Sequence, residues 1–433
     1  MKPEQHDQFT PNSSYTSGLN RVEIQAQDDK HTPPVSALER WLLRKVIREI
    51  GDPPLRIVLW DGKELFRTTP EPKTGVIIHD RSALRRLLSK PSLNFCESYC
   101  SGDIDVEGEL LTFLEIFHQC RLTATADTGI YKRRLADLWG RSNANSLSGS
   151  RENIHHHYDI GNDFYRLWLD TEMQYTCAYF PAPDMSLEAA QAAKVDHVCR
   201  KLRLQPGETV VEAGCGWGGT ALHMAKHYGV NVRAYNISHE QVELARQRAR
   251  EAGLANQVEF VEDDYRNIQG EFDAFVSIGM LEHVGVEHYR ELGDVINRAL
   301  RPDGRGLIHS IGQTQSAPLN PWIEKRIFPG AYPPTLREML GILEPWAFAV
   351  QDVENLRLHY SKTLEHWLAR YEQHEAQVRE MFDDEFVRAW RLYLVSSIAA
   401  FNTGALQLFQ VMFTRPGNND LPWSRAHLYA DKT

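Results

Sequence analysis

A glycine-rich loop contains the first residues whose spacing could bind a ligand. Glu212 and the seven residues after it read EAGCGWGG, and they follow the apolar Val210 and Val211. Glycine lets the backbone turn sharply and approach a ligand closely, which suits the junction between a strand and a helix. The spacing matches neither the GxGxxG loop of dinucleotide-binding folds nor the GxxxxGK(S/T) loop of phosphate-binding ones. A tight turn needed only for packing is the alternative interpretation at this point.

An acid followed by three alternating glycines is typical of the S-adenosylmethionine loop in Rossmann-like methyltransferases. We expect Glu212 to meet the cationic amino-acid end of that cofactor, directly or through water. Amide and hydroxyl groups after the next strand suit its ribose, and an acid after the third strand suits its adenine. A solvated acidic loop is the alternative at Asp264. The cofactor residues predicted from these motifs are Glu212, Gly214, Cys215, Gly216, Trp217, Gly218, Asn236, Ile237, Ser238, Gln241, Asp264 and Tyr265.

Strand-like and helix-like patterns alternate around these loops. The strand-like runs are TVVEA, NVRAYNIS, QVEFVEDDY, EFDAFVSIG and GRGLIHSIG. Such alternation predicts a parallel sheet with helices on both faces. From this alternation together with the glycine-rich loop, we therefore predict an α/β fold, the Rossmann-like class I fold of S-adenosylmethionine-dependent methyltransferases, preceded by a small α+β domain.

Composition divides the chain into three segments. Residues 1–34 are polar and rich in Ser, Thr and Pro, which predicts a flexible tail. Residues 35–145 hold the small domain, in which strand-like LRIVLW and GVIIH alternate with helix-like ALRRLLS and LLTFLEIFHQC. The stretch SNANSLSGS is a linker by composition, so we place a boundary near 145–152 and the catalytic domain over 152–433.

The composition also excludes several classes of protein. The 433 residues include 48 Lys and Arg against 58 Asp and Glu, a net charge of −10, and 42% are hydrophobic. These values argue against a dedicated nucleic-acid protein, a collagen-like chain and a multi-span membrane protein. Six scattered cysteines and the lack of an apolar leader or long apolar run predict a reducing, cytoplasmic location. We predict no metal site, because consecutive side chains such as His155, His156 and His157 point in different directions on a helix.

A basic, amphipathic segment, SALERWLLRKVIREI, begins at Ser36. The apolar residues that fall near one helical face are Trp41, Leu42, Val46 and Ile50. The basic residues are Arg40, Arg44, Lys45 and Arg48. The segment is either a helix that covers the small domain with its basic side in water, or an interfacial helix on anionic lipid. A second basic stretch follows at 121–151.

Eight motifs occur in order along the rest of the chain. They are IHHHYDIGNDFYRLWLD, MQYTCAYF, EAGCGWGG, YNISHEQ, GMLEHVG, GLIHSIG, NPWIEKRIFPG and LHYSKTLEHW. Over about residues 150–415 the chain closely resembles the cyclopropane-fatty-acyl-phospholipid synthases and the related mycolic acid methyltransferases. The resemblance is weaker over 36–120, where the phospholipid enzymes carry an N-terminal domain that the mycolic acid enzymes generally lack. Its presence here favours a phospholipid substrate, and the resemblance implies that this small domain faces lipid.

The resemblance implies a specific reaction. A methylene group passes from S-adenosylmethionine to the cis double bond of an unsaturated acyl chain in a membrane phospholipid, through a carbocation that bound bicarbonate deprotonates. A cyclopropane ring results. The catalytic residues implied as bicarbonate ligands are Cys177, Glu282, His309, Ile311 (through its main chain) and Tyr360. The resemblance also adds Tyr175 and Thr176 to the cofactor residues.

The resemblance further implies peripheral contact with the phospholipid bilayer on its cytoplasmic face, and it leaves a homodimer open. Relatives of this fold also make methylene- or methyl-branched lipids from the same alkene, so that product is the first alternative. A catalytically silent lipid-binding protein and a small-molecule methyltransferase are further alternatives. The apolar stretch from Phe386 to Phe413 is predicted as a helical core element, which in the family also walls the acyl tunnel.

Overall fold

The computed structural model describes residues 34–127 and 160–429 of the chain. The predicted tail up to residue 33, the linker near 145–152 and the three consecutive histidines lie outside these ranges. The division of the chain into a tail, a small domain and a catalytic domain therefore stays a prediction.

The N-terminal part is a small α+β unit, as the alternating patterns predict. Its sheet has the order β2-β1-β3-β4, in which β1 pairs parallel with β3 and the other two pairs are antiparallel. The strands are β1 (Leu55–Val58), β2 (Glu64–Arg67), β3 (Thr74–Ile78) and β4 (Ile104–Glu107). The helices are α1 (Ala37–Glu49), α2 (Arg81–Ser89), α3 (Pro91–Cys100) and α4 (Leu110–Asp127). The strands β2 and β4 have four residues each, too few for a clear sequence period.

Helix α1 begins with a capping box between Ser36 and Glu39, a device worth about 1 kcal/mol. The buried face of this helix differs from the predicted apolar face, of which Leu42, Val46 and Ile50 are only half-buried. Leu43 and Ile47 are the buried residues, whereas Trp41 is 58% exposed. Only a narrow stripe of α1 is buried, because the helix lies at the surface of a small sheet.

The large sheet carries seven strands in the order β10-β11-β9-β8-β5-β6-β7. The five strands from β5 to β9 run parallel, whereas β11 pairs antiparallel with both β9 and β10. The expectation of a wholly parallel sheet is therefore wrong at one edge, while the α/β class is confirmed. The strands are β5 (Thr209–Ala213), β6 (Asn231–Asn236), β7 (Val258–Glu262), β8 (Phe272–Ile278), β9 (Leu300–Gln313), β10 (Ala349–Asn355) and β11 (Leu406–Thr414).

Helices cover both faces of this sheet. Consecutive residues of β5 show it, because Val210 belongs to one apolar cluster and Val211 to another, as the alternation of side chains along a strand requires. The helices before β9 are α5 (Asn162–Arg166), α6 (Leu187–Leu202), α7 (Gly219–Tyr228), α8 (His239–Glu251) and α9 (Tyr289–Ala299). Those after it are α10 (Pro321–Arg326), α11 (Leu336–Leu340), α12 (Arg357–Gln373), α13 (Glu375–Met381), α14 (Asp384–Thr403) and α15 (Ala426–Tyr429).

The apolar stretch predicted as one helical element is a helix followed by a strand. Helix α14 starts at the N-cap Asp383 and ends at Gly404, which has the left-handed φ of 78° that glycine adopts without strain. The chain then continues as β11, in which eight of nine residues are buried. A strand buried on both faces is apolar throughout, so its sequence period does not separate it from a core helix.

Helix α14 also joins the two sheets, because it packs on the small domain. The Arg388 guanidinium lies 4.3 Å from the centre of the Tyr99 ring, and it donates to the Tyr99 carbonyl and to Asp105, both at 2.6 Å. Asn402 donates to Glu115 at 2.7 Å. The docking surface is thus polar at its rim and continues an apolar cluster that both domains share.

Candidate active site

The glycine-rich loop leads from β5 into α7. Gly214 and Gly218 have φ angles of 84° and 81°. A Cβ on Gly214 would lie 2.9 Å from Met280, and one on Gly218 would lie 2.6 Å from the Phe260 ring, so packing alone requires these two glycines. A Cβ on Gly216 would meet no described atom within 4 Å. The loop therefore has open space at Gly216, where a ligand can approach the backbone.

Glu212 lies beneath this loop rather than on it. The side chain is 1% exposed, the Ala221 backbone N–H donates to it, and its Oε2 has no partner among the described residues. Burial raises the pKa of Glu212 to about 8, and the nearby Lys194 opposes that shift. Cys215 is also buried, and its thiol pKa is raised by the same desolvation. The orphaned oxygen of Glu212 fits the polar end of a cofactor.

The residues predicted to hold the ribose are joined to the glycine loop. The Asn236 side-chain amide donates to Gln241 Oε1 at 2.7 Å and to the Gly216 carbonyl at 3.3 Å. The Ile237 backbone N–H donates to Asn236 Oδ1 at 2.9 Å, and Ser238 occupies the N-cap position of α8 without a capping hydrogen bond from its side chain. The structure thus brings these predicted residues together at the carboxyl end of β6.

The third cofactor element differs from its prediction in detail. The Asp264 carboxylate is engaged by Arg266, whose Nε and Nη2 donate to it at 2.8 and 3.0 Å. It is the neighbouring Tyr265 whose hydroxyl is buried without a partner in the described chain, and burial raises its pKa. The free polar group next to the predicted adenine position is therefore the tyrosine hydroxyl and not the carboxylate.

The remaining predicted cofactor residues lie on the segments before α6 and α7. Trp217 Nε1 donates to Asn162 Oδ1 at 2.6 Å, which ties the glycine loop to α5. The Tyr175 and Tyr393 hydroxyls lie 2.7 Å apart, so α14 braces the segment that also carries Thr176. Both contacts hold side chains in place before any ligand binds, which lowers the entropy cost of binding.

The second set of predicted residues centres on β9. The Ile311 backbone N–H donates to Glu282 Oε1 at 2.6 Å, and Glu282 Oε2 is buried without a partner in the described chain. His309 lies two residues earlier on β9, so its side chain is on the same face as that of Ile311. Its Nδ1 lies 3.1 Å from Gln410 Nε2, whereas its Nε2 is buried and unpaired among the described residues. Burial raises the pKa of Glu282 to about 7 and lowers the pKa of His309, which stays neutral.

Cys177 and Tyr360 are linked through one threonine. The Ala178 backbone N–H donates to Thr363 Oγ1 at 3.0 Å, and Thr363 lies one turn after Tyr360 on α12. The Cys177 thiol donates to the Ala178 carbonyl at 3.1 Å, and burial raises its pKa, so the sulfur keeps its proton. The Tyr360 ring lies 4.6 Å from that of Phe401 on α14. A neutral thiol suits hydrogen bonding and does not suit nucleophilic attack.

These groups fit a small oxyanion such as bicarbonate. The Gln410 amide donates to His309 Nδ1, so the proton of the neutral ring is on Nε2, which is free to donate to an anion. Glu282 Oε2 is free to accept the hydroxyl hydrogen of bicarbonate. His309 Nε2 is thus an unpaired donor and Glu282 Oε2 an unpaired acceptor. Bicarbonate, which can both accept and donate a hydrogen bond, would satisfy both atoms.

The sequence motifs missed several polar residues of this site. On α6, Lys194 donates to Thr176 Oγ1 at 2.9 Å, and Gln191 donates to the Gln174 and Thr176 carbonyls at 3.1 and 2.9 Å. A signal was available, because Gln191 and Lys194 interrupt the apolar stripe of this helix at helical spacing. Gln410 gave no such signal, since β11 was interpreted as part of a helix.

Two kinds of site or segment are absent from the described ranges. No cluster of three or more His, Cys, Asp or Glu residues there could hold a metal ion. No helix in the same part of the chain is long and apolar enough to span a bilayer.

The sheet order, the glycine loop and the residues gathered at the carboxyl ends of β5 and β6 define the class of protein: a Rossmann-like, S-adenosylmethionine-dependent methyltransferase. A family model described as mycolic acid cyclopropane synthetase matches residues 145–411. The chain belongs to this family. A second model, described as a domain of unknown function, matches residues 42–125.

Curated relatives support the assignment. A probable fatty acid methyltransferase of Pseudomonas putida is 34% identical over 87% of this chain and 96% of its own length. The cyclopropane-fatty-acyl-phospholipid synthase of Escherichia coli is 39% identical over 62% of this chain and 69% of its own length. Tuberculostearic acid methyltransferase UfaA1 of Mycobacterium tuberculosis is 32% identical over 88% of this chain and 92% of its own length.

Solved structures agree. The cyclopropane synthase MmaA2 of Mycobacterium tuberculosis has a TM-score of 0.59 at 30% identity, covering 61% of this chain and 98% of that chain. The mycolic acid cyclopropane synthase CmaA1, solved with SAH and CTAB, has a TM-score of 0.58 at 30% identity over the same shares. Coclaurine N-methyltransferase, at 20% identity and a TM-score of 0.61, shares the fold.

Proposed function

We propose that this enzyme adds a methylene group from S-adenosylmethionine to the cis double bond of an unsaturated acyl chain in a membrane phospholipid. The alkene carbon bonds to the methyl carbon while the carbon–sulfur bond breaks. Ring closure then releases one proton to a base, and a cyclopropane remains. The reaction requires apolar surroundings for the acyl chain, stabilisation of a cation and a base, and particular residues of the chain suit each of these.

The observation that supports a lipid substrate is one continuous cluster of buried apolar residues around the site. It includes Cys177 and Tyr360 of the candidate site, passes through Leu394 on α14 and reaches Ile78 in the small domain. Ile311 packs against the same cluster. This cluster gives the anion-binding groups apolar neighbours, which suit an acyl chain because its methylene groups gain about 0.8 kcal/mol each on burial.

Aromatic rings beside the site suit a cationic intermediate. Trp367 lies 5.3 Å from Tyr175 and 6.0 Å from Tyr360, and the Tyr360 ring also packs on Phe401. Aromatic faces attract a cation without reacting with it, and a dry site keeps water from adding to it. We expect this cage to favour ring closure over hydration of the cation.

We propose bicarbonate as the base. His309 Nε2–H would donate to one of its oxygens, and the Cys177 thiol would donate to another on turning away from the Ala178 carbonyl. Glu282 Oε2 would accept its hydroxyl hydrogen, which increases its basicity. When bound, it supplies a proton acceptor at a position where His309 stays neutral with Nε2 protonated and where Glu282 Oε2 would be occupied by the bicarbonate hydroxyl. Tyr360 completes the ligand set implied by the family.

We propose that α1 brings the enzyme to an anionic bilayer as a peripheral protein. Leu38 and Trp41 are exposed by 64% and 58%, and Arg40, Arg44 and Lys45 are exposed beside them. Apolar side chains flanked by cations are the arrangement with which an interfacial helix binds anionic lipid. The structure thus favours the lipid interpretation of this helix over a merely solvated basic face.

A methyl- or methylene-branched lipid is the second candidate product. The Pseudomonas and UfaA1 relatives match along nearly the whole chain, and both are named as methyltransferases of fatty acids rather than cyclopropane synthases. Both products arise from the same cation and differ in which proton leaves.

Incubation with S-adenosylmethionine and vesicles of a cis-unsaturated phospholipid tests the proposal. The expected result is a mass gain of one CH₂ group per modified chain and high-field cyclopropane protons in the NMR spectrum of the product. Olefinic branch protons would favour the second candidate, and no mass gain would reject both. Saturated vesicles serve as the substrate control, and removal and return of bicarbonate tests the base.

A further inference from the structure

Lys194 is a buried cation that no motif assigns to the site. It lies on α6 and is 1% exposed. Its Nζ makes one hydrogen bond in the described chain, to Thr176 Oγ1 at 2.9 Å, although an ammonium carries three donors. No described carboxylate forms an ion pair with it. Burying an ammonium without a carboxylate in salt-bridge contact is unfavourable, even with Asp170 and Glu212 near it, so its retention needs a reason.

The surroundings of Lys194 place this charge between the two halves of the site. Thr176 belongs to the predicted cofactor segment, and its neighbour Cys177 belongs to the predicted anion ligands. Burial lowers the pKa of Lys194 to about 8, and the carboxylates of Asp170 and then Glu212 oppose that shift. After burial, Lys194 is the next cause that lowers the pKa of His309. The ammonium is therefore near both places where a negatively charged ligand is expected.

The Thr176 hydroxyl can link the Lys194 ammonium to a ligand through hydrogen bonds. Its hydroxyl oxygen accepts the hydrogen bond from Lys194, so its own hydrogen is free to be donated elsewhere. Donation to an anion would be strengthened by the cation behind it, because charge-assisted hydrogen bonds are shorter and stronger than neutral ones.

We propose that Lys194, with the Thr176 hydroxyl, is an additional anion-binding element of the active site that holds a carboxylate-type group. The source of that group is either the carboxylate of the cofactor's methionine portion or bicarbonate. The cofactor source rests on family membership alone, whereas the bicarbonate source rests on the proposed function.

A structural role and a ligand role predict opposite effects on stability. Replacing an unpaired buried ammonium by an apolar side chain of similar volume leaves a fold as stable or makes it more stable. Lys201 is the matched control, because it lies two turns later on α6, is equally buried, and pairs with Glu354 at 2.6 Å and Asp352 at 3.3 Å. Lys201→Met removes the buried ammonium from two half-buried carboxylates and leaves Glu354 paired only with His197 and Asp352 only with Arg425, so we expect it to lower the melting temperature.

The test compares Lys194→Met with Lys201→Met in calorimetric titrations of the full chain. We expect Lys194→Met to keep the wild-type melting temperature and to bind S-adenosylhomocysteine roughly 10- to 100-fold more weakly. Binding of 5′-methylthioadenosine, which lacks the carboxylate, should be unchanged. Lys201→Met should leave both affinities unchanged.

Three other outcomes decide the proposal. Unchanged S-adenosylhomocysteine affinity with a higher bicarbonate concentration for half-maximal turnover would assign the anion as bicarbonate. Equal weakening of both nucleosides, together with a lower melting temperature, would overturn the proposal in favour of a structural role. No change in any of these quantities would also overturn it. A wild-type enzyme that binds S-adenosylhomocysteine but makes no cyclopropane would contradict only the proposed function.

Discussion

At the scale of single residues, the motifs identified the chemical types at the site and missed their pairings. The sequence indicates an acid after β7, but it does not show that Arg266 engages Asp264 and leaves the Tyr265 hydroxyl unpaired. It likewise indicates Glu282 without showing that this side chain holds the Ile311 main chain. Pairings of this kind depend on groups that the fold brings together, which spacing along the chain does not encode.

Glu282 should lower the stability of the fold at high pH while it supports turnover. Its pKa is raised from 4.5 to about 7 by burial, so the folded chain binds the proton more tightly than the unfolded chain does. The resulting penalty is absent below about pH 4.5, grows with pH and is complete above about pH 7. We therefore expect Glu282→Gln to raise the free energy of unfolding at pH 8 by on the order of 1–3 kcal/mol, while turnover falls at least about 100-fold.

Urea denaturation of both proteins at pH 5 and pH 8 measures this difference, which should be small at the lower pH. Affinity for S-adenosylhomocysteine is the control and should not change. A variant that is less stable than the wild type at pH 8 would show that the buried carboxylate contributes more through its hydrogen bond to Ile311 than it costs in desolvation.

At the scale of elements, the parallel strands and their loops were predictable, and the antiparallel edge was not. The runs that became β5 to β9 are short, apolar and bounded by turn residues. The stretch that became α14 and β11 is apolar throughout, and Gly404 alone marks the change from helix to strand. Gln410 is fully buried on β11 and reaches His309, so missing this strand meant missing a residue that positions a site residue.

Gln410 should act through the histidine it contacts. Gln410→Leu removes the donor that fixes the protonated nitrogen of His309, so we expect turnover to fall roughly 10-fold or more while cofactor affinity is unchanged. Nitrogen NMR of the His309 ring should report a single neutral tautomer in the wild type and a mixture in the variant.

Gln407→Leu is the control on the same strand, because Gln407 is 8% exposed and bonds to Asn355 and to the Gly404 carbonyl, away from His309. It should leave the His309 spectrum and turnover unchanged. Equal loss of turnover in both variants would mean that β11 acts only through general packing.

At the scale of the whole molecule, two sheets share one apolar cluster, and the small domain presents a basic surface. The net charge of −10 did not predict that surface, because acidic residues elsewhere outweigh it. The sequence did predict the basic helix, but it placed Trp41 on the buried face. Which side of a short amphipathic helix is buried depends on the sheet beneath it, which the helix sequence alone does not describe.

Vesicle binding should depend on the exposed face of α1. Replacing Arg40, Arg44, Lys45 and Arg48 by glutamine should weaken binding to anionic vesicles at low salt by up to about 1 kcal/mol per residue, with little effect at high salt. Co-sedimentation measures it. Lys226→Gln with Arg250→Gln, two exposed cations of the catalytic domain, is the control. Equal loss in both variants would exclude a specific role for α1.

The contact between the domains should matter for lipid turnover more than for cofactor binding. Arg388→Ala removes three hydrogen bonds, to the Tyr99 and Ile104 carbonyls and to Asp105, and the ring contact with Tyr99. We expect a loss of about 2–3 kcal/mol of unfolding free energy. Turnover on vesicles should fall, whereas affinity for S-adenosylhomocysteine should not. Arg379→Ala, which breaks exposed ion pairs with Glu375 and Asp384, should change neither.

The position of β11 has a consequence for biosynthesis. The residues of the cofactor loops lie between 212 and 265 and emerge from the ribosome early, whereas Gln410 is made more than 100 residues after His309. A nascent chain that ends before Leu406 has all five parallel strands but leaves one edge of β9 unpaired. The loops that would bind the nucleoside are therefore synthesised before the strand that positions His309. We expect a nascent chain to become catalytically active only after β11 has joined the sheet.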